Sequence, residues 1–387
     1  MSSLKVLKSI NSWISYSLIL AVFSALLQGS LAIAQMPQVD KDKNLSQKLR
    51  SNAPLFWKFV AEKIPLQFNY WKSYQGMIMG DSHEGNFVID RRNSPLFKLD
   101  YINGDRDDAG LGPYAFDFAH YVLSVMSETD KINIFSLLDA YSNGLSGFYR
   151  AMPTQLESRL NIPNEEYEDL RMEFINKNIQ NTHFYLRPGK LDPFDSIKLN
   201  LTQSEIETAL VKVLKPGQFI IDYAIRPKER GGSLMQRRIW ILLRDEQTDS
   251  SMKFRIFELK EKGNPAVEFI SQQDSIAETW SHSAMVFVGV DTLPLIRINN
   301  SFFIWREKKV SILDSPDAKK NFDFYQDLAI YNAYILGLWH RQQVKPIFIE
   351  SFNSYKQIFN KNNVDLIAMI DWLKINFFKE LESQNSN

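Results

Sequence analysis

The sequence predicts an α+β fold on three observations. Apolar residues recur at helical spacing towards both ends of the chain. A block of short segments rich in Ile, Phe and Tyr, separated by turn-like stretches, lies between them, and no internal repeat is present. The 387 residues are 44% hydrophobic and 13% aromatic, which fills a large core and excludes a disordered chain. Lys and Arg number 45 and Asp and Glu number 45, so the chain lacks the basic balance of a nucleic-acid binder.

At the start, Lys5 and Lys8 precede an apolar stretch, Trp13–Leu27, and then Ala32-Ile33-Ala34. A basic head, an apolar middle and an A-x-A site predict a signal peptide over residues 1–34, cut after Ala34, with export to the periplasm or beyond. The alternative is an uncleaved inner-membrane anchor through residues 13–34. The absence of cysteine suits an oxidising compartment, and it excludes disulfides, thiolate metal sites and a cysteine nucleophile.

Residues 35–50 are polar and read as a linker. Helices are expected from Asn52 to Tyr74, with Pro54 and Pro65 as breaks, and then a polar loop, Gly80–Asn86. Phe87–Ile89 and Leu96–Leu99 predict a hairpin, followed by an acidic loop, Asn103–Asp108. Phe116–Met126 and Ile132–Tyr149 have helical spacing, and Asn161–Leu214 reads as mostly helical. Residues 51–215 thus form a loop-bearing helical region, and the character changes at Pro216-Gly217. Over residues 216–315 the segments Phe219–Ile225, Arg238–Leu243, Phe254–Lys260, Phe302–Arg306 and Val310–Leu313 predict a small antiparallel sheet. Residues 316–387 return to helices: Phe322–His340, Pro346–Phe359 and Val364–Leu381.

Two loops carry the candidate chemistry. Asp81 and Asn86 lie five apart with His83 between them, and Asp105, Asp107 and Asp108 crowd beside Gly104. Carboxylates this close repel one another unless a cation neutralises them, and hard oxygen ligands suit Mg²⁺ or Mn²⁺. A D-x-x-x-x-N loop, a strand pair and an Asp loop are also the parts phosphoryl transfer uses. One carboxylate accepts the proton of the attacking hydroxyl, while an Asn oxygen and another carboxylate hold the metal. An Asp-rich loop standing alone is more often a solvated turn or an adventitious cation site.

The run Gly80-Asp81-Ser82-His83-Glu84-Gly85-Asn86, then Asp105-Arg106-Asp107-Asp108-Ala109-Gly110-Leu111-Gly112-Pro113, then Phe116-Asp117-Phe118-Ala119, resembles the aminoglycoside-phosphotransferase branch of the kinase-like fold. The chain from about residue 50 to 385 is more similar still to the bacterial family called domain of unknown function 2252. Later segments matching that family are Gly231-Gly232-Ser233, Leu259-Lys260-Glu261, Ile304–Glu307 and Leu336–His340.

The resemblance implies a two-lobed kinase-like fold with permuted motif order, a small antiparallel sheet lobe beside a large helical lobe. It implies Asp81 and His83 as catalytic groups, Asp81 being the base, with Asn86, Asp105 and Asp107 as metal ligands. It implies that Lys260, with the turn Gly231-Gly232-Ser233, holds the phosphates of ATP, and that Glu278 orients Lys260, with Glu268 competing for that role. Asp100 competes with Asp105 for the metal, and Met79 stands where phosphotransferases place a histidine.

The function expected is a metal- and nucleotide-dependent phosphotransferase whose acceptor the sequence does not name. The alternatives are a pseudokinase-type binding module and a two-metal phosphoesterase. The phosphoesterase lacks its Asn-His box in a chain with 5 histidines. Asp117 is expected to brace the loop, and His120, His183 and His282 to be ordinary polar residues. The basic run Arg226–Arg238 reads as a solvated sheet edge.

Overall fold

Within the stretch read as a linker, Leu45–Arg50 is already helical (α1), with Leu49 buried beneath it. The next helix, α2 (Ala53–Lys63), is not broken by Pro54. The proline sits in its first turn, where the N–H it lacks would have had no partner. Leu55, Phe56, Trp57, Phe59 and Val60 of α2 point inward, and Pro65 separates the helix from a 3-10 turn, Leu66–Ser73. The structure is a computed structural model, and it describes residues 45–91, 99–103, 108–227, 236–246, 253–263, 266–270, 294–308, 321–343 and 345–383.

Short strands follow: β1 (Gln75–Ile78), β2 (Phe87–Arg91), β3 (Leu99–Asn103) and β4 (Gly110–Pro113). β2 and β3 form the expected hairpin, with Phe87 opposite Asn103, although the second strand begins at Leu99 rather than ending there. β1 pairs antiparallel with β4, Gln75 opposite Pro113 and Ile78 opposite Gly110. That pair is not legible locally, because glycine and proline are poor strand formers. Together the two pairs grip both ends of the Gly80–Asn86 loop.

Helix α3 (Tyr114–Glu128) is buried without interruption from Tyr114 to Val125. A helix apolar on all sides belongs at the centre of a body of helices. Here Asp117, His120 and Ser124 make one polar stripe at helical spacing. α4 (Ile134–Ser146) starts where the Asn133 side chain accepts the Phe135 N–H, and ends at Gly147 with φ +71°.

Beyond it come α5 (Thr154–Leu160), α6 (Asn164–Asn178), β5 (Ile179–Gln180), β6 (His183–Phe184), β7 (Asp192–Pro193), α7 (Ser196–Leu199) and α8 (Gln203–Leu210). The stretch expected to be mostly helical therefore also contains a β5–β6 hairpin and a sheet edge.

The sheet runs β11 (Leu295–Ile298), β12 (Ser301–Glu307), β10 (Phe254–Lys262), β9 (Arg238–Asp245), β8 (Gln218–Ile225), β7, with every pair antiparallel. Alternation assigns its faces. One face packs Ile239, Ile241, Leu243, Leu259, Phe303 and Trp305 under Ile206 and Leu210 of α8. The other buries Trp240, Leu242 and Ile256 against Phe184 and Leu191, and then becomes charged. β9 has a strand on each side, so Arg237 and Arg238 do not lie on a solvated edge. Arg237 instead bonds Glu261, the Leu199 carbonyl and Ser301.

The chain closes with α9 (Phe322–Arg341), α10 (Pro346–Lys361) and α11 (Asn363–Ser383). α9 crosses α4 where Gly337 meets Gly144. A Cβ on Gly337 would lie 2.4 Å from the Tyr141 carbonyl, so only glycine allows this approach. Among the described residues no helix is long and apolar enough to cross a membrane. Residues 1–34, read as a leader, and Val310–Leu313 lie outside the described residues.

Candidate functional site

The polar stripe of α3 runs alongside the Gly80–Asn86 loop and meets it residue by residue. Asp117 accepts the backbone N–H groups of Met79 and Gly80 at 3.1 and 3.0 Å. Its own carbonyl accepts the Ser82 hydroxyl at 2.5 Å. His120 Nδ1 lies 2.9 Å from the Ser82 carbonyl, and the Ser124 hydroxyl donates to Glu84. Asp117 is thus the expected brace, with further bracing partners along its helix.

Gly80 makes the turn possible. Its φ is +75°, and a Cβ there would lie 1.8 Å from the Asp108 carbonyl. The Gly80 carbonyl accepts the Trp57 indole N–H at 2.5 Å. From the other side, Arg50 of α1 reaches Glu84 at 3.6 Å.

A buried chain anchors the brace itself. His340 of α9 lies 2.9 Å from Asp117 Oδ2 through Nε2, and its Nδ1 lies 2.7 Å from the Tyr141 hydroxyl. A carboxylate only accepts, so Nε2 carries a proton, and the Tyr141 hydroxyl sits between His340 Nδ1 and the Tyr355 hydroxyl, 3.2 Å away. Burial raises the Tyr141 phenol well above its ordinary range, which keeps it a donor. Burial likewise lowers the His120 imidazole, despite the pull of Asp81. The neutral ring then donates from Nδ1 to Ser82, and its Nε2 has no hydrogen-bond partner among the described residues.

Within the loop, His83 Nδ1 accepts the Gly85 N–H at 3.0 Å, which leaves the proton on Nε2, 3.4 Å from Asp81 Oδ2. His83 therefore faces Asp81 as a donor and serves to orient it. The Asn86 amide N–H donates to the Asp81 carbonyl at 2.7 Å, so the amide oxygen is the atom left to meet a cation. That donor set, carboxylate and amide oxygens, fits a hard divalent ion.

Asp108, part of the second acidic loop, plays a structural part: its Oδ1 accepts the Ala266 N–H at 3.1 Å. Ala266 opens a 3-10 turn, Ala266–Phe269, whose Val267 packs against Gly80. Three residues separate this turn from the end of β10 in sequence, and it packs on the Asp81 loop.

Lys260 is 1% exposed, and the carboxylate on its own face of β10 is Glu258, a residue the sequence did not single out. Burial alone would raise the Glu258 carboxyl. Arg306, Lys308, Arg238 and Lys260 outweigh that and hold it well below the ordinary carboxylate range.

The site residues divide as follows. Asp81, His83 and Asn86 come together on one loop, and Lys260 lies on β10. Asp105, Asp107, Gly231, Gly232, Ser233 and Glu278 lie outside the described residues, and Asp100 is seen only as backbone, opposite Asp90 in the hairpin. Among the described residues no three His, Asp or Glu side chains converge on a metal position. The bracing contacts of His340 and of His120, expected to be an ordinary polar or half-buried histidine, were not read from the sequence. His340 is remote in sequence, while the spacing of Asp117, His120 and Ser124 on an apolar helix was a readable signal. In comparison with known proteins, the chain matches no family model, no curated protein and no solved structure.

Proposed function

We propose that the chain is a kinase-like protein, with the motif order of the domain-of-unknown-function 2252 family, that binds Mg²⁺ or Mn²⁺ with ATP and transfers a phosphoryl group to a hydroxyl acceptor. The observation that carries the reading is the braced loop. A single buried carboxylate, Asp117, fixes the backbone that presents Asp81, His83 and Asn86, and the 3-10 turn that comes after the strand of Lys260 in sequence packs on that loop.

In this reading Asp81 takes the proton of the acceptor hydroxyl, and His83 holds the carboxylate in place through Nε2–H. Asn86 offers its amide oxygen to the metal together with Asp105 and Asp107, while Lys260 and the turn Gly231-Gly232-Ser233 hold phosphates, with Glu278 orienting Lys260. The metal, when bound, neutralises the charge on the transferring group. Buried donors already aligned need little reorganisation, and the brace supplies that alignment. The proposed setting is an exported one, after cleavage behind Ala34 or through an anchor over residues 13–34.

The test is ADP formation from ATP with pooled small-molecule hydroxyl acceptors. Release that requires Mg²⁺ or Mn²⁺ and stops with chelator is the expected result. No release, although nucleotide binds, would make the chain a binding module instead.

A further inference from the structure

The charged face of the sheet has a second feature. β10 presents Glu258, Lys260 and Lys262 in alternate positions, all buried. The register sets Arg238 of β9 directly opposite Lys260, and Arg306 of β12 directly opposite Glu258. Arg306 Nη2 is 2.7 Å from Glu258 Oε2, Lys308 Nζ is 3.8 Å from the same oxygen, and Arg238 Nη1 is 4.0 Å from Oε1. Like charges directly opposite each other destabilise a strand pair, and withdrawing them from water raises that cost.

The cluster also opens outward. The side chains of Arg238, Arg306 and Lys308 remain 13%, 18% and 26% exposed, while Glu258 is at 1%. Burial lowers the Lys308 amine to about 8. Glu258 opposes that shift, while Arg306, Arg238 and Lys260 deepen it. A lysine at the partly exposed border of this cluster, held among cations, is a group that a multivalent anion would stabilise.

We propose that Arg238, Arg306 and Lys308 form an anion site on this face, one that takes a polyphosphate chain. Guanidinium groups match phosphate oxygens, and Glu258 Oε2 holds one edge of Arg306 through Nε at 2.9 Å and Nη2 at 2.7 Å, so the orientation of the guanidinium is fixed in advance. The site deepens the nucleotide reading, with which it shares Lys260, and it needs neither Asp81 nor a metal.

The test is calorimetric titration of the full chain with inorganic tripolyphosphate at pH 7 in the presence of chelator, beside Lys308→Met, Arg306→Gln and Asp81→Asn. Metal-free binding is expected. Lys308→Met and Arg306→Gln should each weaken it about tenfold, and Asp81→Asn should leave it unchanged. Lys308→Met removes a charge at the rim, so it serves as the probe if Arg306→Gln does not fold.

Absence of tripolyphosphate binding, or binding indifferent to Lys308→Met, would overturn the site. The two readings also fail separately. Mg²⁺·ATP binding without tripolyphosphate binding sinks the anion site alone. Tripolyphosphate binding with no response to Mg²⁺·ATP sinks the nucleotide reading alone.

Discussion

Asp117→Ala is expected to destabilise the fold by about 3–5 kcal/mol, the range for removing one partner of a buried charged network. Asp117 is fully buried and accepts from Met79, Gly80 and His340, so alanine leaves two backbone N–H groups and an imidazole N–H without their acceptor. Each buried group left unsatisfied costs about 1–3 kcal/mol. The damage falls on the loop first, because both backbone donors belong to it. Urea unfolding measures the loss. A change within about 1 kcal/mol, with an intact loop, would show that the brace does not hold the site.

Asp81→Asn tests the chemistry rather than the scaffold. The substitution keeps the loop contacts of residue 81: Asn86 donates to its carbonyl oxygen, and an amide oxygen can still accept from His83 Nε2. An amide cannot take the proton of an acceptor hydroxyl. ADP formation should therefore fall by about 10²- to 10⁴-fold, the usual contribution of a positioned general base. Mg²⁺·ATP binding should change little. Turnover at the wild-type rate would remove Asp81 from the reaction. A parallel loss of binding and turnover would move it among the ligands.

Much of this arrangement was legible in the sequence where contact follows from local order. Asp81, His83 and Asn86 share one short loop, and Asp117 heads a helix whose apolar neighbours made its charge conspicuous. The strands of the main sheet announced themselves by their Ile, Phe and Tyr content between turn-like stretches, so β8, β9, β10 and β12 lie within a few residues of their expected places.

What needed the fold is what depends on register or on distant chain. His340 reaches Asp117 across 223 residues. The cluster round Glu258 exists only because β9 and β12 place Arg238 and Arg306 beside β10. β1 and β4 hold together through pairing that outweighs the weak strand preference of Gly76, Gly110 and Gly112. Pro54 was misread for a related reason: a proline starts a helix as readily as it ends one, and its position relative to the first turn decides which.

The measurement that bears most directly on the metal–nucleotide site is the thermal stability of residues 35–387 with Mg²⁺ or Mn²⁺, with and without ATP, beside Asp105→Ala. A ligand present at about a hundred times its dissociation constant stabilises the folded state by about 2.7 kcal/mol. The account predicts a rise that needs both metal and ATP and disappears in Asp105→Ala. A well-folded protein whose stability responds to no nucleotide, with either metal, would contradict it.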